Sequence, residues 1–208
     1  LESYGKPLIF VDSNTLYLGH SCVTTDLEDS VITALEHFLE HHHKEIGLLV
    51  GQEETADATP LQMDPRQRIF QQFLTEKGLY EERFVAVGQF STESGYQMME
   101  QLIQALGDDL PTAFFMASDA IAVGALRSLQ EHQIAVPDRV SLISFNDTSI
   151  AKYVFPALST VTVYTEEMGK QAIQLLRQTF QGSQSSVPCM VKLATKLTIR
   201  DLSLIHIS

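Results

Sequence analysis

The sequence predicts an α/β fold built on parallel sheet, and three observations support that prediction. Residues 114–147 read as strand, polar turn, helix, loop and second strand, which is the order of one βαβ unit. The two strand segments, 113–116 and 140–145, are continuous apolar runs typical of strands buried on both faces. Pairs of a strand followed by a helix also recur along most of the 208 residues. Because ligands of open α/β sheets bind at the carboxyl ends of strands, the polar turns after residues 117 and 145 are candidate site positions.

The elements of the first half follow from apolar runs and helical spacing. Short apolar segments predict strands in four places: 6–12, 23–25, 46–51 and 84–87. A helix is predicted from Asp26, because apolar side chains then recur at helical spacing: Leu27, Val31, Ala34 and Phe38. Pro65 suits the first position of a second helix, which ends at Gly78 and follows a polar surface loop at 53–64.

The second half continues this alternation. Helical spacing predicts three more helices: 95–106, 119–132 and 165–181. Asp119 is a plausible N-cap of the middle helix, and Pro137 prevents that helix from continuing. Apolar segments predict the remaining strands: 158–163, 187–191 and 193–199. Residues 182–186 read as a linker-like turn, and residues 204–208 have no place in the pattern.

The composition argues against several classes of protein. The chain has 14 Lys and Arg against 26 Asp and Glu, a net charge of −12, and such an acidic surface repels a phosphate backbone. Cys22 and Cys189 lack the spacing of a zinc site or a disulfide framework. No segment reaches the roughly 18 consecutive apolar residues of a membrane span, and no signal peptide is visible. We therefore expect a cytoplasmic protein, not attached to a membrane, whose present chain does not itself hold DNA.

A series of short segments resembles the effector-binding core of the lactose/galactose repressor family of bacterial transcription regulators. In chain order the segments are PLIFVD, VTTD, KEIGLLVG, DPRQRIF, GQFSTESGY, PTAFFMASDAIAVGAL, VPDRVSLISFND, LSTVTV, EEMGKQA and KLTIRDLS. Within that family the resemblance is greatest to the galactose and β-galactoside repressors.

The resemblance implies a periplasmic-binding-protein-like fold, in which two Rossmann-like parallel-sheet subdomains joined by crossovers bind a small molecule, usually a sugar. Residues 1–25 and 163–190 would form an incomplete N-terminal subdomain. Residues 26–162 and 191–203 would form the C-terminal subdomain, followed by a tail at 204–208. The helix-turn-helix of family members, about sixty residues that precede the core, would lie outside this chain.

The same resemblance assigns ligand-binding roles to Asp12, Arg66 and Phe90. Asp12 matches a carboxylate that accepts hydrogen bonds from sugar hydroxyls, and an Asx turn is its alternative role. Arg66 matches an arginine that forks onto vicinal hydroxyls, with Arg68 as the competing residue and a solvated helix start as the alternative. Phe90 matches an aromatic side chain that stacks on the apolar face of a pyranose, and simple core packing is the alternative.

Ser118 and Asn146 complete the predicted ligand-binding set. Ser118 follows the central strand, where many family members have asparagine instead. Asn146 ends the next strand, and its amide both donates and accepts hydrogen bonds, which suits hydroxyl recognition. Asp119 is expected mainly to cap its helix, and Asp147 is expected to be structural. The resemblance implies no catalytic residue and no cofactor.

Two further predictions concern a subunit contact and a metal. The helix at 119–132 and the segment after residue 147 match the dimer contact of the family, which assigns Ile121, Ala125 and Ile150 to a homodimer interface. The three histidines at 41–43 predict no metal site, because consecutive helical residues point about 100° apart. A solvated helix end, favoured by the helix dipole, accounts for them.

The sequence therefore predicts a ligand-sensing, non-catalytic module of a homodimeric repressor. Its effector would be a small molecule, most simply a sugar, and operator DNA would be bound only through the helix-turn-helix domain. A solute-binding protein of a sugar importer shares the architecture and stays open as an alternative. A second alternative is a phosphatase, because LIFVDSNT resembles the aspartyl nucleophile strand of haloacid-dehalogenase-like enzymes, although Asn14 replaces its second acid.

Overall fold

The computed structural model of the protein describes residues 7–52, 63–180 and 187–203. The chain divides into two compact units, each with its own sheet. The first unit comprises Leu1–Asp26 and Val163–Thr195, and the second comprises Leu27–Thr162 and Lys196–Ser208. Most of the predicted loop at 53–64, the predicted linker turn at 182–186 and the predicted tail at 204–208 lie outside the described residues.

Strands and helices alternate through most of the chain, as the periodicity predicts. The strands are β1 (Ile9–Val11), β2 (Ser21–Thr25), β3 (Ile46–Gly51), β4 (Val85–Gly88), β5 (Ala113–Met116), β6 (Ser141–Asn146), β7 (Ser159–Thr162), β8 (Met190–Leu193) and β9 (Lys196–Thr198). The helices are α1 (Leu27–Glu40), α2 (Pro65–Glu76), α3 (Thr92–Leu106), α4 (Asp119–Glu131), α5 (Ser149–Tyr153) and α6 (Thr165–Phe180).

The first unit is a three-stranded parallel sheet in the order β1-β2-β8. The helix α6 covers it, with Met168 and Leu175 packed around the fully buried Val23. The pairing of β8 with β2, which sets Val191 opposite Val23, places residues 191–195 in this unit. The sequence assigned those residues to the second unit, and that boundary is wrong because a strand this short carries no signal for its partner.

The second unit is a six-stranded sheet in the order β4-β3-β5-β6-β7-β9. All neighbours are parallel except β9, which runs antiparallel to β7. The strands β3 and β5 are buried at every residue, as their continuous apolar runs predict. The central β5-α4-β6 unit brings the carboxyl ends of β5 and β6 to the same edge of the sheet.

The close packing of α3 on α4 changes the interpretation of two predicted interface residues. A Cβ atom at Gly95 would overlap the backbone carbonyl of Ile121, so only glycine permits this approach. Ile121 and Ala125 both have 0% exposed surface within one chain and belong to the core. Their assignment to a homodimer interface is therefore wrong, whereas Ile150 is 41% exposed and accessible to a partner.

Candidate functional site

The first turn of α2 fixes the side chain of Arg66. Asp64 is the N-cap residue, and its Oδ1 accepts the backbone N–H of Arg66 at 2.8 Å. The same carboxylate accepts the guanidinium in bidentate fashion, from Nε at 2.9 Å and from Nη2 at 2.7 Å. Nη1 donates to the carbonyl of Ala117 at 2.7 Å, just beyond the end of β5. Arg66 is thus anchored at the carboxyl ends of the strands, which is the edge of the sheet where ligands of open α/β folds bind.

Two aromatic rings flank the guanidinium. Its Cζ lies 4.9 Å from the ring centroid of Phe90 and 5.4 Å from that of Phe145, which is within the range of cation–π attraction. Phe90 packs directly against the backbone of Gly51 at the end of β3, where a Cβ atom would overlap the ring. Phe145 is the contact of Arg66 that sequence reasoning misses, because an aromatic side chain inside a buried strand has the pattern of ordinary core.

Arg66 keeps hydrogen-bonding capacity for a ligand. A guanidinium has five N–H groups. Three of them donate to Asp64 and Ala117, so two have no acceptor among the described residues. Arg68, the competing candidate, is exposed on the helix surface, whereas the side chain of Arg66 is only 15% exposed. The structure therefore favours Arg66 over Arg68.

Ser118, not Asp119, caps α4. The Oγ of Ser118 accepts the backbone N–H of Ile121 at 3.3 Å, and the expectation that Asp119 caps this helix is wrong. Both residue types are good caps, so the sequence does not distinguish them. Ser118 is buried, and its hydroxyl proton has no acceptor in the described part of the chain.

The carboxylate of Asp119 instead joins three segments of the sheet edge. Its Oδ1 accepts from the hydroxyl groups of Ser144 at 2.6 Å and Thr160 at 3.0 Å. Its Oδ2 accepts from Thr148, through the backbone N–H at 2.6 Å and the hydroxyl at 2.8 Å. Asp119 is 1% exposed, so these four bonds compensate a buried charge. This residue ties β6, β7 and the turn after β6 together.

Asn146 ends β6 in an unusual backbone conformation. Its φ angle is 106°, and φ of the following Asp147 is 57°, so two consecutive non-glycine residues occupy the left-handed region. The side chain of Asn146 is half-buried, and its amide has no hydrogen-bond partner within residues 7–52, 63–180 and 187–203. An amide without a partner at the carboxyl end of β6 can both donate to and accept from a ligand hydroxyl.

Asp147 is structural, as expected from the sequence. Its Oδ1 accepts from Nη2 of Arg200 at 2.8 Å, and its Oδ2 accepts from the hydroxyl of Thr162 at 2.8 Å. The ion pair is largely buried, with 8% of the Asp147 side chain and 18% of the Arg200 side chain exposed. The turn after β6 is therefore tethered at Asp147 as well as at Thr148.

Asp12 belongs to the first unit and follows β1 directly. Its φ angle is 61°, and its backbone N–H donates to the carbonyl of Val23 at 2.9 Å. The residue is exposed. The other four predicted ligand residues lie in the second unit, and the structure brings Arg66 and Phe90 into direct contact there.

The prediction of a solvated helix end at 41–43 is wrong for His43, which is only 8% exposed, whereas His42 is exposed. The Nδ1 of His43 lies 2.9 Å from the hydroxyl of Thr112, and its Nε2 is buried without a hydrogen-bond partner. Burial, and secondarily the neighbouring His41, lower the pKa of His43 below its usual value, and the same two causes lower the pKa of His37. In the described part of the chain, no group of three or more His, Cys, Asp or Glu is arranged to hold a metal ion.

The parallel α/β fold, with polar residues at the carboxyl ends of its strands, is typical of periplasmic-binding-protein-like domains. Comparisons with known proteins agree with this class. The model of the family described as periplasmic binding protein-like domain matches residues 35–201. The transcriptional regulator CelR–cellobiose complex has a TM-score of 0.81 at 26% identity, over 96% of this chain and 59% of that chain. None of the helices among the described residues is long and apolar enough to cross a membrane.

Two curated relatives, both HTH-type transcriptional regulators, narrow the assignment within this family. The HTH-type transcriptional regulator GalR of Streptococcus thermophilus is 50% identical over 201 residues, which are 97% of this chain and 60% of that protein. A GalR of Lacticaseibacillus casei is 37% identical over 204 residues, which are 98% of this chain and 61% of that protein. The chain belongs to the periplasmic binding protein-like domain family, in the lactose/galactose repressor group that the sequence resembles. It spans about 60% of the length of these relatives.

Proposed function

We propose that this chain is the effector-binding core of a transcriptional regulator and that its effector is a neutral sugar. The observation that carries the proposal is the guanidinium of Arg66, which is flanked by Phe90 and Phe145 and has two N–H groups without acceptors among the described residues. A planar pair of donors beside aromatic rings suits the vicinal hydroxyls and apolar face of a pyranose. The name of one structural relative, the CelR–cellobiose complex, supports a sugar as the class of ligand.

The charge of the site favours a neutral ligand over an anion. Arg66 is paired with Asp64 in bidentate geometry, so its positive charge is already neutralised. An anionic ligand would compete with the Asp64 carboxylate, whereas a hydroxyl group can accept from the remaining N–H groups without disturbing the pair. The Arg66–Asp64 pair therefore favours a neutral sugar over a sugar phosphate as the ligand.

The roles of the remaining residues follow from their chemistry. Asn146 would donate to one hydroxyl and accept from another, and Ser118 would donate its hydroxyl proton while its Oγ caps α4. Phe90 would present its ring to the apolar face of the sugar. Asp12 is proposed as a further acceptor on the resemblance to the family alone.

Binding of the sugar would shift the protein between two states that differ in DNA affinity, through a differential affinity for those states. DNA would be contacted by a part of the regulator that this chain does not span, in keeping with a net charge of −12 here.

We propose a cytoplasmic, non-enzymatic homodimer whose subunits meet around α5, where three apolar side chains are exposed: Ile150 at 41%, Tyr153 at 86% and Phe155 at 87%.

The test is calorimetric titration of the full-length regulator with D-galactose, lactose, cellobiose and D-ribose. Arg66→Lys keeps the positive charge but loses the planar fork, so it should weaken binding of the preferred sugar by about tenfold or more. The matched control is Arg68→Lys, which changes an exposed arginine two residues away and should leave affinity unchanged.

Two results would contradict the proposal. One is the absence of binding by any of the four sugars, and the other is an equal loss of affinity in Arg66→Lys and Arg68→Lys. Light scattering on the same preparation is expected to report a dimer. A monomer at high protein concentration would contradict the proposed subunit contact.

A further inference from the structure

We propose that Asp147 and Arg200 form a positioning pair, which holds the side-chain amide of Asn146 in the orientation that contacts the effector. This role rests on the proposed function, because Asn146 is assigned there to the sugar. Neither Asp147 nor Arg200 needs to touch the ligand. They act through the backbone of the turn after β6.

That turn has a backbone that requires external restraint. Asn146 has φ of 106° and Asp147 has φ of 57°. Asn and Asp adopt positive φ more often than other non-glycine residues, but as single residues, and two in succession are held in place by surrounding contacts. An unrestrained turn would relax towards more common φ values and would redirect the side chain of Asn146.

Asp147 supplies the restraint through three hydrogen bonds. Its backbone N–H donates to the hydroxyl of Thr160 at 3.3 Å. Its carboxylate accepts from the hydroxyl of Thr162 at 2.8 Å and from the guanidinium of Arg200 at 2.8 Å. Thr162 is also the Cα partner of Asn146 in the β6–β7 pairing, so the bond lies beside the residue that is positioned.

Arg200 is itself held rigidly, which makes it an effective anchor. Its backbone N–H donates to the hydroxyl of Ser159 at 2.9 Å, and its Nη1 donates to the carbonyl of Leu158 at 2.8 Å. Both acceptors lie at or just before the start of β7, so the guanidinium joins Asp147 to that end of the strand. A largely buried charged pair of this kind is costly to disturb by removing one partner.

The three side chains of the turn are engaged unequally. Asp147 is bound as described, and Thr148 donates twice to Asp119. Among the described residues, the amide of Asn146 alone in this turn has no partner. The second and third residues of the turn are therefore tethered, whereas the first is not. This arrangement fixes the backbone and leaves the amide of Asn146 for a ligand.

A double-mutant cycle in the full-length regulator tests this role with D-galactose as the probe, or with the sugar of the four that binds most tightly. Asp147→Asn removes the charge at constant size, and Thr162→Val is an isosteric variant that removes the hydroxyl and its hydrogen bonds to Asp147 and Thr198. Each is made alone and combined with Asn146→Gly, which deletes the amide at a φ angle that glycine adopts freely. Asp201→Asn is the matched control, because this exposed carboxylate accepts from Ala157 in the same terminal segment, away from the turn.

If the pair acts through Asn146, Asp147→Asn and Thr162→Val each weaken sugar binding about tenfold alone and less than about twofold in the Asn146→Gly background. The control leaves affinity unchanged in both backgrounds. Equal losses in both backgrounds would overturn the positioning role, because a general loss of structure or a separate ligand contact adds to the loss of Asn146.

Hydrogen exchange without sugar separates this inference from the proposed function. Amides 146–148 should exchange faster in Asp147→Asn and Thr162→Val than in the Asp201→Asn control, and unchanged exchange would overturn the inference. Faster exchange in a regulator that binds none of the four sugars would support the positioning of Asn146 while contradicting the sugar-binding function.

Discussion

Two sets of polar residues in the second unit differ in how completely they are hydrogen-bonded. The carboxylate of Asp119 accepts four bonds of 2.6 to 3.0 Å from side chains and backbone. In the other set, Arg66 has two N–H groups and Asn146 has a complete amide without a partner among the described residues. Because buried polar groups in proteins are nearly always paired, the first set serves the fold, and we propose that a ligand completes the second.

The largest effect on stability is expected for Asp119→Ala. The substitution leaves Ser144, Thr148 and Thr160 without their common acceptor in a buried position, so the free energy of unfolding should fall by about 3–5 kcal/mol. Urea denaturation of the full-length protein measures this loss. The control Asp201→Ala, which removes an exposed acceptor, should cost less than about 1 kcal/mol. Similar losses in the two variants would show that Asp119 does not hold the sheet edge together.

The fold of this chain is predictable to a large extent because its central strands are buried on both faces. Burial selects continuous apolar runs, and the predicted bounds of β3 and β5 agree with the structure to the residue. By contrast, α5 has five residues, which are too few to show helical spacing. The partner of β8 depends on which sheet has an open edge, and that property is absent from the strand itself.

The site is less predictable, because its decisive contacts join residues far apart in the chain. The resemblance to a known family indicates Arg66, but its anchoring to Ala117 spans 51 residues. The role of Asp119 depends on hydroxyl groups 25 to 41 residues away, and no local pattern distinguishes it from a helix cap. The positive φ angle of Asn146 likewise results from tertiary restraint, since no glycine marks the turn.

His43 is a buried polar group with one nitrogen unpaired, and a smaller effect on the free energy of unfolding is expected from it than from Asp119. Its Nε2 is buried and unpaired, and burial lowers the pKa of His43 from the usual 6.5. The folded protein therefore binds fewer protons than the unfolded chain at mildly acidic pH. Stability should be complete above about pH 6.5 and should decrease as the pH falls from there towards the lowered pKa.

Urea denaturation between about pH 7.5 and pH 5 measures this dependence. His43→Gln should be less sensitive to pH than the parent protein, and the remaining sensitivity should include His37, whose pKa is also lowered by burial. His42→Gln, at the exposed neighbouring position, should retain the full pH dependence. A slope that is unchanged in His43→Gln would show that this imidazole does not contribute.

The smallest effect on stability is expected for Asn146→Gly, although the same variant should lose sugar affinity. Asn146 makes no side-chain hydrogen bond to the described residues, and its φ of 106° stores strain of about 1–3 kcal/mol that glycine relieves. The added freedom of glycine in the unfolded chain costs about 0.5–1 kcal/mol, so the free energy of unfolding should stay equal or rise slightly. Gln133→Gly, at an exposed residue with φ of 57°, is the control that should match it in stability while keeping full affinity. A loss of about 2 kcal/mol or more in Asn146→Gly, but not in Gln133→Gly, would mean that the amide is already paired without a ligand. Asn146 would then stabilise the fold, as Asp119 does.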